Sequence, residues 1–192
     1  MITYECGPVW DKRIVTINPA SKVGICMSGG VDSYVLYHLL KKQTNPLVFN
    51  IYRNDGHDNS NHLSKLIDDD IIVIPQLSEN SLHRINGGFD YIMDNYDIDE
   101  LYGGANQVPP LHQFPEFNTP AMPTRYFNLK YRKIVVPFNS LYKYHILDLA
   151  DRNNIDLTMT YSCLRNMPPQ PECGECWQCK EKKWAYEQKK AF

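Results

Sequence analysis

The chain has 192 residues, 43% of them hydrophobic and 22% charged, with a formal net charge of -2 at pH 7. A chain of this length and composition buries about two-thirds of its unfolded surface as one domain, so residues 1–192 are expected to form a single folded unit, and a disordered chain is excluded. The slightly acidic balance offers no general positive field for a phosphate backbone, and with no membrane-length apolar run and no signal-peptide pattern the expected setting is the cytoplasm.

In chain order, Met1 to Val15 alternates polar and apolar residues. Val23 to Met27 is a short apolar run followed by a glycine turn and reads as a buried strand. A helix follows, because Val35, Leu36, Leu39 and Leu40 share a face between Tyr34 and Lys42. Further strands are expected at Leu47–Tyr52, Ile71–Ile74 and Glu100–Gly103, with helices at His62–Ile67 and Leu82–Asn95 between them. This alternation predicts an α/β fold with an open parallel sheet flanked by helices. Ligands of such sheets sit beyond the carboxyl ends of the strands, so the loops after Met27, Tyr52, Ile74 and Gly103 are expected to share one rim. From Gly104 to Pro137 prolines alternate with aromatic residues, which predicts a long loop, either a plain surface loop or a substrate wall. A last strand near Lys133–Val136, a helix at Tyr142–Arg152 and a basic terminal helix at Trp177–Lys190 complete the chain.

The segment Ser28-Gly29-Gly30-Val31-Asp32-Ser33 lies between a predicted strand and a predicted helix. Glycines let the backbone approach phosphate oxygens, and the unpaired amides at a helix start donate to them. The alternative reading is a glycine turn capped by Ser28 with an acidic first turn. No GK[ST] follows, so the lysine that grips terminal phosphates in phosphoryl-transfer enzymes is missing. A loop that cradles pyrophosphate instead leaves the α-phosphorus open to attack.

Cys163, Cys173, Cys176 and Cys179 supply four thiolates within 17 residues. That number suits a tetrahedral, structural zinc site covering 160–192 together with the terminal helix. A redox CxxC pair, an iron–sulfur cluster or unligated cysteines remain open from spacing alone. Cys26, inside a predicted strand, reads as a small buried hydrophobe. His57 and His112 receive no catalytic role, and Asp68-Asp69-Asp70 reads as a solvated turn. Lys180, Lys182, Lys183, Lys189 and Lys190 read as a solvated basic face.

The SGGxDS string resembles the PP-loop signature of the N-type ATP pyrophosphatases, a Rossmann-like class with an adenine nucleotide alpha hydrolase-type fold. Together with Val136–Lys143, Thr160-Tyr161-Ser162-Cys163 and Cys173-Gly174-Glu175-Cys176 through Cys179, the chain resembles the 7-cyano-7-deazaguanine synthase (QueC) family. The resemblance implies ATP, Mg2+ and Zn2+ as cofactors. It implies a deazapurine acid, 7-carboxy-7-deazaguanine, as substrate, with ammonia adding to its adenylated form to give the amide and then the nitrile. Ser28, Gly29, Gly30, Val31, Asp32 and Ser33 would contact the nucleotide, Asp32 and Lys143 would serve catalysis, and the four cysteines would hold zinc. A homodimer is compatible with such an enzyme. Residues 105–110, Ala-Asn-Gln-Val-Pro-Pro, depart from the family pattern, which has an asparagine followed by an aspartate there; no aspartate occurs from Leu101 to Arg132. The competing functions are a PP-loop ligase or thiolase acting on a tRNA base, a QueC-like enzyme acting on another base or a protein, and a non-enzymatic zinc-ribbon module.

Overall fold

The alternating N-terminal segment forms a hairpin that periodicity alone left unassigned. Strands β1 (Ile2–Cys6) and β2 (Arg13–Ile17) pair antiparallel, with Tyr4 opposite Val15. Val15 and Ile17 are buried while Ile14 is exposed, the one-sided pattern of a strand covered on a single face. The chain turns at Gly7, whose φ of +90° suits only glycine at low cost; a Cβ there would also stand 2.5 Å from the Asp11 carbonyl and the His145 ring. The computed structural model describes residues 1–51, 60–75, 81–114 and 134–192, giving backbone alone at 81–86.

The five strands expected downstream all join one parallel sheet. Strand β3 (Val23–Cys26) is central, with β4 (Leu47–Ile51) and then β5 (Ile71–Ile74) on one side. On the other side lie β6 (Glu100–Gly103) and then β7 (Ile134–Val135). Ile25 sits opposite Val48 on one flank and Tyr102 on the other. The inner strands β3 and β4 read as largely apolar because both faces are covered, whereas Val73 on edge strand β5 is exposed. Helices α1 (Val31–Lys41), α2 (Ser60–Leu66), α4 (Lys143–Arg152) and α5 (Trp177–Lys189), with the hairpin, share a core with Ile25, Val48 and Tyr102. Helix α3 (Ser81–Asn95) covers the opposite face through Phe89 and Ile92, against Phe49, Ile74 and Leu101.

The expected loops after β4 and β5, His57, and most of the proline- and aromatic-rich stretch, including Phe117, Tyr126 and Phe127, lie outside the described residues. Its described part, 104–114, holds no helix or strand, and His112 is exposed. In the acidic run Asp68 and Asp70 are exposed as expected of a solvated turn, and Asp69 is the exception. Asp69 meets Lys41 at 2.9 Å and accepts from the Tyr37 hydroxyl at 2.8 Å, tying the turn before β5 to α1. Of the basic residues at the terminal helix, Lys183 and Lys190 are exposed, whereas Lys182 pairs with Glu172 at 3.1 Å and Lys189 pairs with Asp151. No helix among the described residues is long and apolar enough to cross a membrane.

Helix α4 is buried along most of its length, from Lys143 to Ala150. His145 fastens it to the hairpin. Its Nδ1 accepts from the Tyr142 amide at 3.1 Å, which places the ring proton on Nε2, 2.9 Å from the Asp11 carbonyl. Protonating Nδ1 would set two donors against each other. Burial lowers the His145 pKa, and the contacts with Asp11 oppose that shift without reversing it. Below about pH 6.5 the unfolded chain therefore takes up a proton that the folded chain resists, so stability falls as pH drops. The melting temperature should decline between pH 7.5 and 5.5, and less steeply in His145→Gln, whose amide can keep the bond to Asp11. Equal declines in the two proteins would assign the effect to other groups, such as His38 and His62, whose pKa values burial also lowers.

Candidate functional site

The chain runs from β3 through β4 to β5 and then returns to the other side of β3 with β6. The crevice at such a reversal, beyond the carboxyl ends of the strands, is where open α/β sheets hold ligands. The loop Ser28–Ser33 occupies this crevice. Gly29 takes a φ of +82° and its carbonyl accepts from the Tyr161 amide at 2.9 Å, joining the loop to the segment that enters the cysteine cluster. Gly104, just after β6, fits where it does because it lacks a side chain: a Cβ would lie 2.6 Å from the backbone of Ser33.

Helix α1 starts at N-cap Gly30 with no side-chain cap, so Ser28 does not play the capping role open to it on sequence grounds. The first-turn amides are left as donors for an anion. Ser33 acts within the loop. Its hydroxyl accepts from the Ser28 amide at 3.2 Å and donates to the Gly30 carbonyl at 3.2 Å. The side chain of Val31 is fully buried, so only its backbone amide can meet a ligand.

Ser28, Gly30, Asp32, Ser33 and Lys143 line one cavity of about 200 Å³, together with Gly104, Ala105, Asn106, Ser162, Trp177, Gln178 and Glu181. Lys143, the first residue of α4, is no solvated lysine. It is 3% exposed, and its Nζ lies 2.7 Å from Asp32 Oδ2 and 3.3 Å from Glu181 Oε2. A cation at a helix N-terminus faces the positive end of the dipole, so these carboxylates are what hold it there. Burial alone would lower the Lys143 pKa, but Asp32 and Glu181 outweigh it and raise the value, keeping the ammonium charged. Burial raises the Glu181 pKa, against the pull of Lys143. Asn106 donates to Glu181 Oε1 at 2.7 Å.

Two polar atoms of the lining lack a hydrogen-bond partner among the described residues, Asp32 Oδ1 and Ser162 Oγ. Ser162 is 5% exposed. A buried hydroxyl with no partner costs about 1–3 kcal/mol, a cost that a bound ligand would remove. Ser162, Asn106, Gly104 and Glu181 were not singled out as site residues from sequence. Glu181 did carry a signal, as the one acid in the helical stripe Trp177, Glu181, Trp184, Ala185.

The four cysteines meet beside this cavity. Their sulfurs all lie within 4.8 Å of one another, with Cys176 and Cys179 at 3.4 Å and Cys173 and Cys179 at 4.0 Å. Ligands of one tetrahedral zinc ion, at about 2.3 Å, stand about 3.8 Å apart, so the group could hold zinc. Gly174 makes the knuckle turn with φ +72°. Amides of Asn166 and Arg165 reach Cys163 Sγ at 3.2 and 3.4 Å, and the Cys176 amide reaches Cys173 Sγ at 3.3 Å, the hydrogen bonding that supports thiolate ligands. Burial pushes the Cys163 thiol up, but these amides and that of Cys173 outweigh it and bring it down to about 6. Cys26 lies apart, packed with the core beneath α3.

The parallel sheet, the loop at its reversal point and the four-cysteine arm define an open-sheet α/β protein with a C-terminal cysteine cluster. Residues 114–190, which contain Lys143, Ser162 and all four cysteines, match the family model described as Queuosine biosynthesis protein QueC. No curated protein matches the chain. A similar solved structure, described as a predicted subunit of tRNA methyltransferase from Methanocaldococcus jannaschii, has a TM-score of 0.42 and 17% identity. It covers 69% of this chain and 75% of its own, too loose a likeness to carry an argument.

Freshly purified protein should contain one zinc ion per chain. Cys176→Ser should lose most of that metal and several degrees of thermal stability, since metal ligation contributes directly to folding in such segments. Elemental analysis checks the first expectation: iron with sulfide would replace zinc, and a metal-free wild type of full stability would remove the metal site altogether.

Proposed function

We propose that the protein is an ATP-dependent ligase that adenylates an acid, and that its substrate is 7-carboxy-7-deazaguanine, converted with ammonia to the amide and then the nitrile. The observation that carries this reading is the meeting of Asp32, on the phosphate-type loop, with Lys143, from the QueC-family segment, at 2.7 Å in one cavity. At about 200 Å³ the cavity is smaller than the roughly 300–1,000 Å³ of whole small-molecule sites. It suits the phosphates, with the nucleoside lying beyond its rim.

In this reading the uncapped amides of α1 and the glycine backbone receive the phosphates. The substrate carboxylate oxygen attacks the α-phosphorus, the bond to the β-phosphate oxygen breaks and pyrophosphate leaves. Ammonia then attacks the acyl carbon and AMP and a proton leave, giving the amide; the amide oxygen attacks a second ATP with loss of pyrophosphate and a nitrogen proton, and loss of AMP and the remaining nitrogen proton leaves the nitrile. Lys143 holds a fixed positive charge beside the centre where negative charge builds up, an arrangement that stabilises a transition state more than a ground state. Magnesium, when bound, would offset the phosphate charge, and the unpartnered Asp32 Oδ1 is the acceptor available to one of its waters.

Incubation with magnesium-ATP, ammonia and 7-carboxy-7-deazaguanine should yield AMP, pyrophosphate and the nitrile, read by chromatography and mass spectrometry. ADP and phosphate as sole products would overturn adenylation. AMP formed only with another acid would keep the reaction class and change the substrate, whereas AMP release that requires tRNA and weakens steeply with salt would favour a tRNA base. Gly29→Val should abolish ATP binding, because the position needs positive φ and a Cβ would already lie 3.0 Å from the His62 ring. Calorimetry on the folded variant checks this. Asp32→Asn should keep the fold and lower turnover at least about a hundredfold; an unchanged rate would leave Asp32 with a structural role only.

A further inference from the structure

Asp32 and Lys143 have roles in the proposed chemistry, but the third charge in their cluster does not. Glu181 is 2% exposed and reaches the cavity from α5, the helix that also carries Cys179. Two carboxylates against one ammonium leave the cluster with a formal excess of one negative charge, in a site otherwise built to receive an anion. Buried ion clusters of this kind seldom hold a fold together better than apolar packing would. The neighbours of Glu181 on its own stripe, Trp184 and Ala185, show that an apolar residue could have continued the packed face.

We infer that Glu181 is a positioning residue for Lys143, holding its ammonium at the cavity wall in the orientation the reaction needs; the inference rests on the function proposed above. A lysine ammonium has three N–H donors on a four-carbon stem with many rotamers. One carboxylate would let it swing. Two carboxylates from different helices, Asp32 on α1 at 2.7 Å and Glu181 on α5 at 3.3 Å, fix its place and engage two donors. The third donor is the one left for a ligand in the cavity that all three residues line. Asn106 completes the arrangement by donating to Glu181 Oε1 at 2.7 Å, which leaves Oε2 facing Lys143. The loop after β6 thus positions Glu181, Glu181 positions Lys143, and neither Asn106 nor Glu181 needs to touch substrate.

The test uses the full-length, zinc-loaded protein and compares wild type with Glu181→Gln and Asn106→Ala. In Glu181→Gln the amide can still accept from Asn106, but its NH2 group then confronts the Lys143 ammonium. Turnover measured as AMP release should fall about 10- to 100-fold, with KM for ATP within about threefold of wild type and zinc content unchanged, the pattern of a lost transition-state contact. Asn106→Ala should shift in the same direction by a smaller factor. A second readout needs no substrate: amine acetylation of Lys143, followed by mass spectrometry, should be several-fold faster in Glu181→Gln than in wild type. Should Glu181→Gln fail to fold, Asn106→Ala decides the matter by the same two measurements, since it leaves every charge in place. Unchanged turnover together with unchanged Lys143 labelling overturns the inference, as does a variant that loses thermal stability and nothing else. A wild-type protein that releases no AMP defeats the proposed function instead, and the labelling comparison still tells whether Glu181 holds Lys143.

Discussion

One lysine ammonium, buried between two carboxylates, sets the terms for the rest of the site. Burial and the helix dipole both press Lys143 toward its neutral form at the start of α4, and Asp32 and Glu181 outweigh them. Those acids come from helices that begin far apart in the chain, so the ion cluster also draws α1, α4 and α5 onto one cavity. Its cost is the desolvation of three charges, which only a mutually fixed geometry can offset.

That geometry is braced from two sides. The hairpin clamps α4 through Gly7, whose amide donates to Asp148 at 2.8 Å, and through Asp11 against His145. On the other side the cysteine arm does more than close a proline-rich loop. Tyr161 binds the Gly29 carbonyl, Ser162 faces the cavity, and Trp177, Gln178 and Glu181 lie between or just beyond the cysteines. Cysteine cluster and phosphate-type loop are therefore parts of one wall, joined through a few short contacts.

The sheet is legible because its strands are short, mostly apolar runs alternating with helical stretches, and Ile71–Ile74 and Glu100–Gly103 form with the expected bounds. The hairpin is not, since a half-covered strand such as Arg13–Ile17 alternates weakly and its partner depends on a turn at Gly7. The phosphate-type loop and the cysteines could be read because each is a local pattern with its own chemistry. Lys143 was singled out through resemblance alone. Glu181 stands as the one acid in its helical stripe and Asn106 within a departure from a family pattern; their meaning lies in a contact across 75 residues that no local pattern encodes.

The cavity borrows from both halves of the chain, and this affects how the protein comes into being. Asp32 and Glu181 lie 149 residues apart (181 minus 32), which a ribosome adding about 5–20 residues per second takes roughly ten to thirty seconds to cover. For most of that interval the glycine loop and its helix exist without the lysine that faces them in the finished molecule, and the serine and the acid are added later still. A nascent chain thus has half a pocket in a cell rich in nucleotides, yet lacks the groups that would make capture productive. The set is complete only when the last helix has been made and docks.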